Sequence, residues 1–188
     1  MSIASTRKRL LDARRAQRLI RFHTRFEKTE VMGYVLDVGP EFALVAVVND
    51  RVWFDGFECF RVQDLREVRP YPRAAFVEAA LRRRGERLPR KPRVSLADPE
   101  AMIRTAARVG PMLTIHLERI DPEVCFIGRV EGIEDGWMFL REIDPSARWD
   151  KTATPYRLKA ITRIGFGADY EEALHLVGGE PKRVKARR

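Results

Sequence analysis

Cysteine is scarce in this 188-residue chain, which contains only Cys59 and Cys125. No CxxC pair occurs, so the sequence predicts neither a zinc knuckle nor a disulfide framework. Both thiols are expected to be reduced and buried in a cytoplasmic protein. His23 and His116 occupy matching strand positions, and a metal site with the two cysteines is conceivable, but no pair has ligand spacing. Duplication of one structural position explains the match better, so we expect no metal and no cofactor.

Long hydrophobic runs are also missing. No window approaches the roughly 20 apolar residues that a membrane span needs. The basic N-terminal segment is not followed by the apolar stretch of a secretory signal. These absences predict a soluble, cytoplasmic protein without a membrane partner.

Motifs for catalysis are absent as well. The chain has no GxSxG, no P-loop and no HExxH. Several Asp residues fall in expected turns, where Asp is common for backbone reasons. The sequence therefore predicts a protein that is not an enzyme.

Positive charge is abundant and unevenly placed. The chain has 36 Lys and Arg against 27 Asp and Glu, a net charge of +9. Residues 1–25 carry +7, residues 82–93 carry +6 and residues 181–188 carry +5, so the remainder carries −9. Basic flanks around an acidic remainder favour an anionic partner that first contacts the flanks.

A pattern of about twenty residues occurs twice, at 31–50 and at 126–143. The matched pairs are Gly33 with Gly128, Val35 with Val130, Val38 with Ile133, Phe42 with Trp137, and Leu44 with Phe139. The match needs no gap, so we interpret the protein as one small β unit used twice.

Periodicity and turn residues predict the elements of each unit. The first unit is expected to have a helix over 5–19, strands over 19–24, 31–38 and 42–48, a hairpin of strands 51–54 and 57–62 around Asp55-Gly56, a helical turn at 63–65, a strand over 66–71 and a helix over 73–84. The second is expected to have a helix from Asp98 to Gly110, strands over 112–117 and within 124–143, short closing strands over 156–164, and a helix capped by Asp169 with Tyr170, Ala173, Leu174 and Val177 on its apolar face. The predicted organisation is a first unit over 1–85, an extended, exposed linker over 86–97, a second unit over 98–180 and a basic, disordered tail over 181–188.

A helix followed by five bent strands, with Gly33 in the second strand and Asn49-Asp50 after the third, resembles the Sm-like fold, a small SH3-type barrel. The chain is similar to uncharacterised bacterial proteins with tandem Sm-like barrels. The resemblance implies a mainly β fold of two tandem five-stranded small barrels, each with an N-terminal and a C-terminal helix. Sm-like RNA-binding proteins hold a uridine with a loop Asn and an Arg-Gly pair. Here the loop positions hold Ala43 and Met138, and neither unit has the Arg-Gly pair, so that pocket is not expected.

Charge and aromatic residues define the candidate binding site. The candidates are Arg14, Arg15, Arg18, Arg82, Arg83, Arg84, Arg87, Arg90, Lys91, Trp53 and Trp149. The other aromatic candidates, Phe22, Phe42, Phe54 and Trp137, are better explained as core residues. Our leading hypothesis is weakly sequence-specific binding of RNA or another polyanion. The alternative is a protein-interaction or assembly module, including a homodimer, and convergence of the basic segments on one face would favour nucleic acid.

Overall fold

A computed structural model describes residues 2–181. Its helices are α1 (Ile3–Arg15), α2 (Ala74–Arg83), α3 (Pro99–Ala106) and α4 (Asp169–Gly178). Its strands are β1 (Leu19–Thr24), β2 (Val31–Val38), β3 (Phe42–Val48), β4 (Phe54–Arg61), β5 (Leu65–Pro70), β6 (Leu113–His116), β7 (Cys125–Glu134), β8 (Trp137–Glu142), β9 (Thr154–Arg157) and β10 (Arg163–Phe166). Single 3-10 turns, Val62–Asp64 and Leu158–Ala160, precede β5 and β10. None of the helices in this part of the chain is both long and apolar enough to cross a membrane.

All ten strands form one open antiparallel sheet in the order β5-β1-β2-β3-β4-β10-β6-β7-β8-β9. The expectation of two closed five-stranded barrels is therefore wrong, although the mainly β composition agrees. Strand β4 does not close the first half by pairing with β5. It pairs with β10 of the second half, with Cys59 opposite Ile164 and Phe57 opposite Phe166. This pairing satisfies two strand edges at once and joins the halves into one sheet.

The main hydrophobic core contains residues of both halves. Phe42 and Leu44 of β3 pack in one cluster with Ile115 and Phe166 of the second half. Val94 and Leu96, from the segment expected to be an exposed linker, are also buried in this cluster. The segment is therefore not fully exposed, because its last part alternates two buried apolar side chains with Ser95 and Ala97.

The internal repeat is confirmed by the strand register. Gly33 lies opposite Val47, and Gly128 lies opposite Glu142. A β-bulge follows Val35 in one half and the corresponding valine of β7 in the other. A Cβ on Gly33 would lie 2.5 Å from the Ala46 carbonyl oxygen, and one on Gly128 would lie 2.1 Å from that of Arg141. Both glycines are therefore needed for close approach of the neighbouring strand.

The expected hairpin at Asp55-Gly56 is wrong. The turn comes earlier, where the Asn49 side chain accepts a hydrogen bond from the backbone N–H of Trp53 (3.2 Å). Gly56 lies inside β4 at φ +70°, and a Cβ there would come within 2.7 Å of the backbone of Gly167. The absence of a side chain at Gly56 permits the close contact between the two halves, and the local sequence does not reveal this contact.

Helix α4 buries a different face from the one predicted. Leu174 and Glu171 are its buried residues, and Glu171 Oε1 accepts a hydrogen bond from Thr114 Oγ1 (2.5 Å). The exposed apolar residues of the helix are Tyr170 (54% exposed), Leu176 (85%) and Val177 (77%). The helix is thus rotated, since Thr114 in β6 offers Glu171 a buried partner.

Candidate nucleic-acid interface

The first half carries the positive charge of the described chain. Residues 1–97 contain 21 Lys and Arg against 12 Asp and Glu, a net +9, whereas residues 98–181 contain 10 against 15, a net −5. The predicted basic tail, apart from residue 181, lies outside the described residues. Within the described chain, the first half is therefore the part with the more favourable charge for a polyanion.

Helix α1 and the segment after α2 meet at Asp37. Arg14 Nη1 lies 3.1 Å from Asp37 Oδ1, and Lys91 Nζ binds the other carboxylate oxygen. Burial acts to raise the pKa of Asp37, but the Lys91 hydrogen bond, the Val38 N–H and the two nearby cations outweigh it and lower this pKa. Two of the three predicted basic segments therefore lie side by side on the first half.

Two adjacent clefts lie between α1 and the sheet edge formed by β5. One, of about 310 Å³, is lined by Arg9, Arg18 and Arg69 among others. The next, of about 490 Å³, is lined by Arg9, His23, Arg66 and Arg69. The clefts share Arg9 and Arg69, so they form one continuous surface. Lining carboxylates are few, and Glu67 is paired with Arg69 at 3.2 Å.

A third cleft, of about 300 Å³, lies beside α2 and shares no lining residue with the first two. Arg82 lines it together with two acidic residues, Glu78 and Glu86, so this cleft is not basic. We call the surface along the first two clefts the basic track, which comprises Arg9, Arg18, Arg66 and Arg69.

A stacked pair lies at the end of α2. The guanidinium of Arg84 lies 4.6 Å from the ring centroid of Trp53, whose side chain is 37% exposed. Arg84 Nη1 also donates to the carbonyl oxygens of Arg51 (2.5 Å) and Val52 (2.7 Å). The pair fixes the end of α2 to the turn between β3 and β4.

The other sequence-predicted candidates have varied surroundings. Arg15 on α1 and Arg83 at the end of α2 are exposed, as are Arg87 and Arg90 in the segment that follows α2. Trp149 is half-buried, and its Nε1 donates to the carbonyl oxygens that follow α4 at 3.1 and 3.2 Å. It lies in the second half, away from the clefts of the basic track.

Sequence reasoning did not single out Arg9, Arg66 and Arg69. Arg66 and Arg69 lie in β5, and the sequence does not show that this strand is an unpaired edge. Arg9 donates to the Val68 carbonyl oxygen at 3.0 Å, which places its side chain between α1 and that edge. The available signal was the recurrence of Arg directly after each of the two buried apolar residues of β5.

Most of the alternative aromatic candidates are core residues, as predicted. Phe22 and Phe42 are 1% and 2% exposed. Phe54 is partly buried beside Tyr34. Trp137 lies under the guanidinium of Arg157, 3.9 Å from the ring centroid.

Two arginines make contacts between the two halves of the sheet. Arg61 in β4 is 6% exposed, its Nε donates to the Ile161 carbonyl oxygen (2.7 Å), and its guanidinium stacks on Phe42. A terminal nitrogen of the same guanidinium binds the Glu41 carboxylate. Arg61 therefore links its own half to the turn before β10.

The second arginine, Arg163 in β10, lies in a cluster of acids. Its guanidinium nitrogens lie 3.4 Å from Glu118 and 3.6 Å from Glu58. Glu27 is 3.7 Å away, and the His116 Nδ1 is 3.1 Å away. Burial, aided by the Arg163 charge, lowers the pKa of His116 to about 3, so the ring is neutral and accepts from Arg163.

The cluster changes the ionisation of Glu58. Its side chain is 26% exposed, but Oε2 is inaccessible to solvent and has no hydrogen-bond partner within residues 2–181. Burial raises the pKa of Glu58 to about 7; Arg163 acts to lower it, and Glu171, Glu118 and Glu27 act to raise it. The cluster can therefore take up a proton near neutral pH.

The described residues contain no group of three or more His, Cys, Asp or Glu that could hold a metal ion. Cys59 is buried, as predicted, but Cys125 is exposed at the start of β7, so that prediction is wrong. The first residue of this strand lies opposite His116 at the sheet's surface, not in the core.

Comparisons with protein-family models, with curated proteins and with solved structures find no match to the chain. The resemblance to Sm-like proteins therefore stays a prediction from the repeated motif.

Proposed function

We propose that the protein is a non-catalytic nucleic-acid-binding protein with weak sequence specificity, with RNA as the expected partner. The observation that carries this proposal is the basic track. Its arginines line two adjoining clefts on one half of the molecule. A row of cations along a surface groove favours a phosphate backbone, because each neutralised phosphate releases condensed counterions.

Charge asymmetry supports the same partner. Over the described residues the first half carries a net charge of +9 and the second half −5, so positive charge is concentrated on the half that holds the basic track. The arginines contact phosphates, which are the same in every sequence, so little base preference is expected.

Fluorescence anisotropy of a labelled 20-nucleotide RNA, titrated with protein at several salt concentrations, tests this proposal. Four phosphate contacts on a single strand predict a slope of log K against log salt of about −2.8. Exchange of Arg9, Arg18, Arg66 and Arg69 for Gln should flatten the slope by about 3.

The matched control makes the same change of net charge on the second half. Exchange of the exposed Arg104, Arg108, Arg129 and Arg148 for Gln should leave the slope within about 1 of the original value. An equal effect of both variants would show non-specific attraction and reject the basic track. No binding at micromolar protein in low salt would reject the nucleic-acid function.

One observation favours the second candidate, an assembly module that forms a homodimer. Helix α4 exposes Leu176 and Val177 almost completely, which is unusual for two adjacent large apolar side chains. Sedimentation velocity between 1 and 100 µM protein tests this alternative. A dimer that is lost in the Leu176→Ser, Val177→Ser variant would support it, and a monomer throughout would reject it.

A further inference from the structure

The turn that carries Trp53 is held in a strained conformation. Val52 has φ +61°, a region that β-branched residues rarely occupy. The Asn49 side-chain oxygen accepts from the N–H groups of Arg51 (3.1 Å) and Trp53 (3.2 Å), and the Asn49 N–H donates to the Trp53 carbonyl oxygen (3.0 Å). These bonds fix the direction of Trp53. Strain retained beside an exposed large aromatic residue points to a role for that residue.

Arg84 completes the arrangement. Its guanidinium is anchored by the carbonyl oxygens of Arg51 and Val52 and stacks on Trp53. Neither carbonyl neutralises its charge, and no carboxylate lies within ion-pair distance of it in the described part of the chain. The indole and the guanidinium therefore form a preorganised, cationic stacking surface. Because both groups are already held in place, ligand binding should cost little conformational entropy here.

Further exposed arginines lie close to this pair in the sequence. Arg51, Arg82, Arg83 and Arg87 are all exposed, and they neighbour Trp53 and Arg84 along the chain. Gln17 and Phe54 line the third cleft, and in the chain they adjoin Arg18 of the basic track and Trp53, respectively.

We propose that the Trp53–Arg84 pair stacks an unpaired base, so that the ligand of the basic track is single-stranded nucleic acid. This inference rests on the proposed function and adds the class of ligand. A duplex hides the faces of its bases, whereas every base of a single strand offers a face for stacking. One stacked base contributes about 5- to 150-fold in affinity.

The second half provides a matched control. Trp137 and Arg157 form a similar pair, with the guanidinium 3.9 Å from the ring centroid. That pair lies in the net negative half and outside the clefts of the basic track. Removal of Trp137 should therefore not change nucleic-acid affinity.

The test measures anisotropy with three labelled probes of equal length: a 12-nucleotide oligouridine, a 12-unit abasic phosphodiester and a 12-base-pair duplex. Trp53→Ala should weaken oligouridine binding by at least 5-fold and leave the abasic and duplex affinities unchanged. Trp137→Ala should change none of the three. Trp53→Phe should restore most of the loss, because phenylalanine also stacks.

A second measurement follows Trp53 directly, so the test does not depend on the folding of the alanine variant. In the Trp137→Phe, Trp149→Phe variant, oligouridine should quench the remaining tryptophan fluorescence, and the abasic probe should not.

Other outcomes separate the two proposals. Equal loss of oligouridine and abasic binding in Trp53→Ala, equal affinity for duplex and single strand in the unmodified protein, or no quenching would overturn base stacking and leave the basic track intact. Failure of the unmodified protein to bind any probe would overturn both proposals.

Discussion

Glu58→Gln is expected to stabilise the protein at alkaline pH. Glu58 lies where β4 meets β10, and its buried Oε2 is surrounded by Arg163, Glu171, Glu118 and Glu27. Glutamine keeps the size of the side chain and resembles the protonated acid. The substitution therefore removes the cost of ionising a buried carboxyl group and changes little else.

The magnitude follows from the pKa of Glu58, which is about 7 in the folded protein and ordinarily 4.5. Between these two pH values the folded state binds more protons than the unfolded state, so stability falls as pH rises. Below pH 4.5 the group is protonated in both states and there is no cost. Above pH 8 it is ionised in both, and the cost reaches about 3 kcal/mol.

Urea unfolding followed by circular dichroism, at pH values from 4.5 to 9, checks this expectation. The variant should match the original protein at the lowest pH and exceed it by up to about 3 kcal/mol at pH 9. His116 titrates in both proteins, so its opposite pH dependence cancels in the difference. Glu134→Gln, a change at an exposed position of β7, is the control and should show no such trend.

A pH-independent loss of stability in Glu58→Gln would refute the reasoning. It would mean that Glu58 is ionised at every pH used and serves as an ion-pair partner of Arg163. The acid excess around Arg163 would then have no consequence for folding.

Three further predictions concern stability and thiol reactivity. Gly128→Ala should lower the free energy of unfolding in urea by several kcal/mol, because its Cβ would lie 2.1 Å from a backbone oxygen. The control is Gly132→Ala in the same strand, whose Cβ would meet nothing closer than 3.9 Å and which should have little effect. Arg61→Ala should lower the free energy of unfolding by about 3 kcal/mol or more in the same assay, since it leaves buried carbonyl oxygens without a donor. A smaller loss of stability would show that water replaces the guanidinium. A thiol reagent should label Cys125 in the folded protein and Cys59 only after unfolding, and rapid labelling of both would contradict the buried position of Cys59.

Local features of the fold were predictable where neighbouring residues decide the structure. Strands β1, β2 and β3 have the expected bounds, and α3 begins after Asp98, whose side chain accepts from the Ala101 N–H at 2.7 Å. Gly33 lies within β2, as predicted. Such features depend on turn chemistry and on the spacing of apolar residues, both of which are written in the sequence.

The candidate site was only partly predictable. The sequence placed positive charge around α1 and after α2, and Arg9 and Arg18 of the first segment contribute to the basic track. Arg66 and Arg69 were not predicted as site residues, since their place in the basic track depends on β5 being the outer strand of the sheet. Trp53 was a candidate from its position in a connection, but its anchored partner Arg84 is 31 residues away and required the structure.

The sequence by itself determined the repeat, the order of the strands along the chain and the location of the charge, because these depend on residue type and local spacing. Only the tertiary structure decided that β4 pairs with β10, that both halves share a core and that Arg163 lies among acids. A strand edge has the same backbone donors and acceptors whichever partner it meets. Its choice of partner depends on the side chains that become buried on both faces when the sheet forms, and those come from distant parts of the chain.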